Sequence, residues 1–260
     1  MTRSTPADDG AAEGGAAEGG SSSTSPSSLG RSLLVFVKEI VIIVALAVVL
    51  SLVLKTWLVQ TFWIPSASMM STLIRDDRVL VSKLTPGPFE LSRGDIVVFE
   101  DPGGWLEPGI ATPSQGGIGE GINTALTWVG LLPEDEGNHL IKRVIGMPGD
   151  HVVCCSADGK LEVNGTPIQE NYLHPGDTPS DISFDITVPP ERLWVMGDHR
   201  SDSVDSRFQP GEDLSQSGTV PIDNVVGRAF SIVWPLNRLT WLGEPEGTFE
   251  QVNPPPAITP

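Results

Sequence analysis

The sequence predicts a mainly β domain behind a single N-terminal transmembrane helix. Three observations support this prediction. The fifteen residues from Ile40 to Leu54 include one polar side chain, Ser51. Beyond residue 60, short β-like runs alternate with turn signals, which is typical of an all-β domain. Glycine and proline interrupt helices, and 28 glycines and 23 prolines make up about a fifth of the 260 residues, which excludes a helical bundle.

Composition limits the partners of this chain. The formal net charge is −17, and an acidic surface repels phosphate, so nucleic acid is a poor partner. With two cysteines and four scattered histidines, we expect neither a metal nor a cofactor. Residues 1–30 are almost entirely small or acidic. They have nothing to bury, so we expect a disordered tail over 1–32, and a flexible leader is favoured over a binding tail.

The predicted transmembrane helix covers residues 33–59. The apolar run alone rises about 22 Å, short of the ~30 Å hydrocarbon core, and apolar flanks supply the rest. Lys38 and Lys55 can extend toward the headgroups, and Trp57 and Trp63 suit the interface. A cleaved signal peptide would have a short basic leader instead, and a buried soluble helix would show a polar face.

The β domain is predicted to span residues 60–260. Its candidate strands are 78–82, 95–99, 139–145, 151–155, 160–163, 193–196 and 225–233. Residues 101–138 form an irregular insertion whose apolar side chains either contact the bilayer or pack on the sheet. The adjacent Cys154 and Cys155 form either a vicinal disulfide or two buried thiols, and the sequence does not decide between these.

Three polar segments are candidates for chemistry. Hydroxyl side chains cluster within residues 62–73, directly after the helix, where they are either nucleophiles or part of a simple turn. Lys142 lies among Ile141, Val144 and Ile145, and burial of a lysine lowers its pKa and makes it a competent base. A solvated lysine beside Arg143 is the alternative. Residues 196–207 suggest either a turn network or a site.

Together these segments resemble the type I signal peptidases of bacteria, the membrane-bound serine proteases of family S26 that use a Ser–Lys dyad. The resemblance runs from the anchor to about Leu242. It is carried by four blocks in the family's order, namely 64–69 with Thr72 and Leu73, 93–99, 142–150, and 197–207. Each block is weak alone, but the four in order behind a membrane anchor are highly specific.

The resemblance implies a role for each matching residue. Ser68 matches the nucleophile and Lys142 the general base. Ser66 matches the hydroxyl that stabilises the oxyanion together with the Ser68 backbone N–H. Ser203 matches the serine that orients the lysine amine, and Asp205 matches the acid that organises the site, with Arg143 and Arg207 as its expected partners. The residues that match the apolar lining of the substrate pockets are Phe62, Ile64, Met69 and Ile141.

The resemblance also implies a fold, a substrate and a location. The fold would be a coiled β-sheet protease domain on the extracytoplasmic side of the cell membrane, with one transmembrane span and a cytoplasmic tail. The substrates would be exported preproteins with small residues at positions −1 and −3 of the signal peptide. The family often has proline where this chain has Ser71, and asparagine where it has His199. Neither position carries the dyad, so we expect activity.

Two other functions are compatible with parts of the sequence. A soluble, self-cleaving Ser–Lys repressor is disfavoured by the anchor and the acidic charge. A catalytically inert, membrane-anchored β domain that binds secretory partners is the main alternative, because residue identity does not prove geometry.

Overall fold

The computed structural model describes residues 27–106, 138–209 and 218–255, with side chains described for 32–52, 58–106 and the two later ranges. Within these ranges a long N-terminal helix is followed by β-strands, so the predicted mainly β class is confirmed. Residues 1–26 of the predicted tail and 107–137 of the predicted insertion lie outside the described residues.

The N-terminal helix, α1, spans Ser27–Trp57. Its window Ser32–Leu52 has a mean hydropathy of 2.9 and is long and apolar enough to cross a membrane by length and composition. The side chains from 32 to 50 are exposed, which distinguishes α1 from a helix buried in a soluble core. The helix begins before the predicted boundary at 33, so residues 27–32, expected in the disordered tail, are helical. It ends earlier than the predicted boundary at 59, because Val59 pairs with Ser82 in a β-ladder.

The strands of the described β domain are short. They are β1 Val59–Trp63, β2 Arg78–Ser82, β3 Ile96–Glu100, β4 His139–Gly146, β5 His151–Cys154, β6 Leu161–Val163, β7 Thr166–Pro167, β8 Phe184–Thr187, β9 Arg192–Met196, β10 Val220–Pro221, β11 Val225–Trp234 and β12 Thr240–Trp241. The first sheet has the order β1-β2-β11-β3-β4-β9-β10, with β12 paired to β11, and the second has the order β7-β6-β5-β8. All of these pairings are antiparallel.

The interior position of β4 explains why its charged residues are buried. β4 lies between β3 and β9, with Lys142 opposite Val97 and Arg143 opposite Met196. Every residue of β4 from Ile141 to Gly146 is buried. Side chains leave a sheet through its faces, and here Ser68 contacts Lys142 and Asp198 contacts Arg143, so both charged side chains are at most 3% exposed and the lysine loses most of its hydration.

Apolar clusters fix the turn after β1 and join the two sheets. Met69 and Leu73 belong to a cluster on the first sheet, and neither is measurably exposed. A second cluster brings Trp194 of β9 together with Val152 of β5, so the second sheet packs on the end of the first. The turn at 66–73 is therefore anchored by its own buried side chains.

We expect Gly227→Ala to destabilise the first sheet. A Cβ at position 227 would lie 2.3 Å from the Ser82 carbonyl oxygen and 2.8 Å from Val81 Cγ1. Because β2 cannot move away without breaking its ladder, the free energy of unfolding should fall by about 1–3 kcal/mol. Gly243→Ala is the matched control, since a Cβ there meets nothing within 4 Å. Equal denaturation midpoints for the two variants would contradict this account.

Candidate active site

Ser68 and Lys142 form a buried pair although 74 residues separate them. The amine Nζ of Lys142 donates a hydrogen bond to Oγ of Ser68 at 2.6 Å. Ser68 is 5% exposed and Lys142 is 3% exposed. A hydroxyl within hydrogen-bond reach of a base is the arrangement that activates a serine nucleophile.

The turn that carries Ser68 is tight and hydrogen-bonded. The N–H of Met70 donates to the Ala67 carbonyl at 2.9 Å, and the N–H of Leu73 donates to the Met69 carbonyl at 2.8 Å. Ser66 Oγ lies 3.3 Å from Ser68 Oγ, so the two hydroxyls face the same space. Ser71 has a φ of 95°, which a proline cannot adopt because its ring holds φ near −65°. The Ser71 turn thus differs from one that contains proline.

The surroundings of Lys142 favour its neutral form. Burial lowers the pKa of Lys142 to about 8, because the charged ammonium loses its hydration. The negative charges of Asp205 and Asp198 oppose this effect and raise the pKa, but burial is the larger cause. At a pKa near 8, part of the population carries a free lone pair at neutral pH, as a general base requires.

Asp205 organises the segment that follows β9. Its carboxylate pairs with Arg207, with Nε of Arg207 at 2.8 Å from Oδ1, and both side chains are fully buried. It also accepts hydrogen bonds from the Gly197 N–H at 2.9 Å and from the Ser203 hydroxyl at 2.8 Å. One buried acid therefore connects the end of β9 to the loop beyond it. Arg207 is a partner of Asp205, as expected.

Arg143 does not pair with Asp205, which corrects the prediction. Its guanidinium binds Asp198 with two hydrogen bonds of 2.8 and 2.6 Å. It also donates to the Gly94 carbonyl at 2.7 Å and lies 4.2 Å from the centroid of the Tyr172 ring. Asp198 in turn accepts the Thr72 hydroxyl at 2.5 Å. Arg143 thus ties the turn at 66–73 to the end of β9 through Asp198, an acid for which the sequence predicted no role.

The Ser203 hydroxyl donates to Asp205, not to the lysine amine. Within the described ranges, the hydrogen bond of Lys142 Nζ is the one to Ser68. Ser203 still lies close to the nucleophile turn, because a Cβ on Gly197 would meet both Ser203 Oγ at 2.3 Å and the Ser68 carbonyl oxygen at 2.4 Å. Position 197 therefore has no room for a side chain between these two serines.

The four predicted pocket residues are brought together as a packed cluster. They are at most 7% exposed and belong to one cluster on the first sheet, and they are Phe62, Ile64, Met69 and Ile141. The edge of the Phe62 ring meets His139, with 5.4 Å between the ring centroids. In this structure they pack as core residues of the first sheet.

Two other features of the site region were not predicted from the sequence. Glu170 and Arg200 form a buried ion pair beside Gly197. The rings of His174 and His199 lie against each other beside the turn at 66–73, with 4.0 Å between their centroids and a tilt of 39° between their planes. Such contacts form between loops that are distant in the sequence, so no local sequence pattern predicts them. The unusual density of polar residues in 196–207 was the one available signal.

The structure answers one question that the sequence left open. Cys154 and Cys155 are joined as a vicinal disulfide at the end of β5. Cys154 is the last residue of β5 in the second sheet, whereas Lys142 lies on β4 of the first. Among the described residues no group of three or more His, Cys, Asp or Glu side chains could hold a metal ion.

We expect Asp205→Ala to destabilise the protein strongly. The substitution leaves the fully buried guanidinium of Arg207 without its partner, which typically costs about 3–5 kcal/mol in the free energy of unfolding. Asp185→Ala is the control, because Asp185 pairs with His151 but its side chain is 73% exposed. An exposed pair contributes about 0–1 kcal/mol. Chemical denaturation measures both values, and a similar cost for the two would contradict this interpretation of Asp205.

Comparison with known proteins agrees with the geometry. The signal peptidase, peptidase S26 family model matches residues 36–234. A signal peptidase I of Mycobacterium tuberculosis is 38% identical over 234 residues, 84% of this chain and 76% of that protein. A probable signal peptidase I of Mycobacterium leprae is 38% identical over 229 residues, 79% and 78% of the two chains. A solved signal peptidase I from Enterococcus faecalis gives a TM-score of 0.31 at 21% identity, over 54% of this chain and 97% of that chain. This chain belongs to the signal peptidase family of peptidases, S26.

Proposed function

We propose that this protein is a membrane-anchored endopeptidase that removes N-terminal signal peptides from exported preproteins, with Ser68 as nucleophile and Lys142 as general base. The observation that carries the proposal is the buried 2.6 Å hydrogen bond between these two side chains. The relatives named signal peptidase I supply the substrate class, because they are 38% identical over most of their length.

Acylation follows from the pair's geometry. The neutral amine of Lys142 takes the hydroxyl proton of Ser68 while Oγ forms a bond to the scissile carbonyl carbon. The resulting ammonium then gives this proton to the departing amine, and the C–N bond breaks to leave an ester on Ser68. In deacylation Lys142 takes a proton from water, the water oxygen attacks the ester, and the released Ser68 recovers its proton.

Oxyanion stabilisation is assigned to Ser66 and to the backbone of Ser68. Ser66 is an exposed residue and its hydroxyl lies 3.3 Å from Ser68 Oγ, which places a donor next to the atom that attacks. The Ser68 N–H supplies the second donor. Each such donor typically contributes about 3–4 kcal/mol to transition-state stabilisation.

The remaining polar residues are assigned positioning roles. With its proton bound to Asp205, the Ser203 oxygen could only accept a hydrogen bond from the lysine amine, which would orient the Lys142 lone pair toward Ser68. Arg207 holds Asp205, and Arg143 holds the turn through Asp198 and Thr72. We assign the pocket floor to Phe62, Ile64, Met69 and Ile141. Closely packed apolar side chains exclude bulk, which favours small substrate side chains at positions −1 and −3.

The proposed location is the cell membrane, with one span and an extracytoplasmic catalytic domain. The relatives and α1 suggest membrane anchoring, and we assign residues 1–32 to the cytoplasm and 60–260 to the opposite side. The first sheet starts two residues after α1 ends, because β1 begins at Val59. Exposed apolar side chains on the β11–β12 hairpin, including Trp234, Leu236 and Trp241, suit contact with the lipid surface of the bilayer.

Cleavage of a purified preprotein in detergent tests the function and the dyad together. We expect wild type to cut at the signal-peptide junction, and both Ser68→Ala and Lys142→Ala to lose at least about 10³-fold in rate, because each removes a group that the bond-making step needs. Lys160→Ala is the control for removal of a lysine outside the site. Circular dichroism shows whether each variant is folded.

Two outcomes would overturn the proposal in different ways. Cleavage by Ser68→Ala at the wild-type rate would place the nucleophile elsewhere. Binding of the preprotein by folded wild type without any product would favour the inert membrane-anchored β domain.

A further inference from the structure

The direction of the Ser68 N–H depends on what holds the carbonyl of Ala67. In a planar trans peptide the carbonyl of one residue and the N–H of the next point in opposite directions. A group that hydrogen-bonds the Ala67 oxygen on one side therefore directs the Ser68 N–H to the other side. An oxyanion hole works only if its donors already point at the developing charge.

His199 contacts the turn at 66–73, which carries the proposed nucleophile, in two places. Its ring Nδ1 lies 3.3 Å from the Ala67 carbonyl oxygen, and its backbone N–H donates to the Ser68 carbonyl at 3.0 Å. A carbonyl oxygen only accepts, so this contact requires the ring proton on Nδ1. One residue thus binds the carbonyls on both sides of the nucleophile's own N–H. The Met70 N–H, at 2.9 Å, is the other donor to Ala67.

The ring of His199 is itself held in place. It is 16% exposed and packs against the tilted ring of His174, with 4.0 Å between centroids and 39° between planes. His174 Nδ1 lies 3.4 Å from the Ser71 hydroxyl, and its backbone N–H donates to the Asp198 carbonyl at 3.0 Å. Asp202 Oδ2 is 4.0 Å from His199 Nδ1, on the outer side. The two histidine rings together therefore span the turn from Ala67 to Ser71.

We infer that His199 is a positioning residue of the oxyanion hole: its Nδ1–H holds the Ala67 carbonyl so that the Ser68 N–H faces the oxyanion. This inference rests on the proposed function. His199 touches neither the substrate nor the reacting atoms, and it acts through the peptide between Ala67 and Ser68. Asparagine can replace it chemically, because the side-chain amide of asparagine also places an N–H at the δ position.

Substitutions at His199 test the inference through catalysis. His199→Gln moves the amide one methylene too far to hold Ala67, and His199→Leu removes the donor. Loss of one oxyanion-hole donor lowers kcat by ~10²–10³-fold, and a donor that points in the wrong direction should lower kcat by part of this factor. We expect kcat for preprotein cleavage to fall about 10–100-fold in both variants, with KM within about twofold. His199→Asn should stay within about threefold of wild type in kcat.

An inhibitor pair separates positioning from general structural damage. A substrate-based peptidyl aldehyde adds to Ser68 and places its oxygen in the oxyanion hole, whereas the same peptide ending in an alcohol cannot. The Ki of the aldehyde should rise by the same factor as kcat falls in His199→Gln and His199→Leu, while the Ki of the alcohol stays at the wild-type value. If the leucine variant does not fold, the glutamine variant decides.

Several results would overturn the inference. Wild-type kcat in His199→Gln, a fall in kcat without loss of aldehyde affinity, or equal losses in the asparagine and glutamine variants would each do so. If wild-type protein cleaves no preprotein, the proposed function fails and takes the inference with it. If wild type cleaves the preprotein and the His199 variants cleave it equally well, only the inference is rejected and the proposed function stands.

Discussion

The burial of Lys142 beside Ser68 is the constraint on which the rest of the site depends. A lysine at the centre of a sheet is unfavourable as an ammonium, so folding lowers the pKa of Lys142 from 10.5 to about 8. The folded chain then binds fewer protons than the unfolded chain between these values. By linkage, the cost to stability is full below about pH 8 and disappears as the pH rises through 10.5. Burial of Lys142 thus lowers the stability of the fold below about pH 8 and gives the proposed general base a pKa of about 8.

Buried ion pairs hold the surrounding loops without keeping Lys142 protonated. Asp205 binds Arg207 and Asp198 binds Arg143, so the two acids that raise the pKa of Lys142 most already have positive partners. Without those partners, the two carboxylates would raise the pKa of the lysine further and keep it protonated. Buried pairs of this kind add little net stability. Their effect here is to fix the turn of Ser68, the strand of Lys142 and the end of β9 relative to one another.

The sequence predicted which side chains meet at the centre of the site better than it predicted the ion pairs around them. The order of the motifs brought Ser68 and Lys142 together, and the apolar neighbours of Lys142 explained why its pKa should fall. The ion pairs between loops could not be predicted from local sequence patterns. Arg143 could meet either Asp205 or Asp198, and the difference depends on how β4 and β9 align, which no spacing reveals. The C-terminal end of α1 differs from the prediction for a similar reason. Val59 is compatible with an apolar helix by its residue type, but it pairs with Ser82 of β2 instead.

The pH dependence of kcat/KM tests the central claim most directly, because it reports the pKa of the base in the free enzyme. A signal-peptide substrate without titrating groups near the cleavage site would be followed from about pH 6 to 11. The account predicts a rise with an apparent pKa near 8, the value to which burial lowers Lys142, followed by a plateau. A rate that begins to rise only near the ordinary lysine pKa of 10.5 would contradict it, as would a rate unchanged across this range.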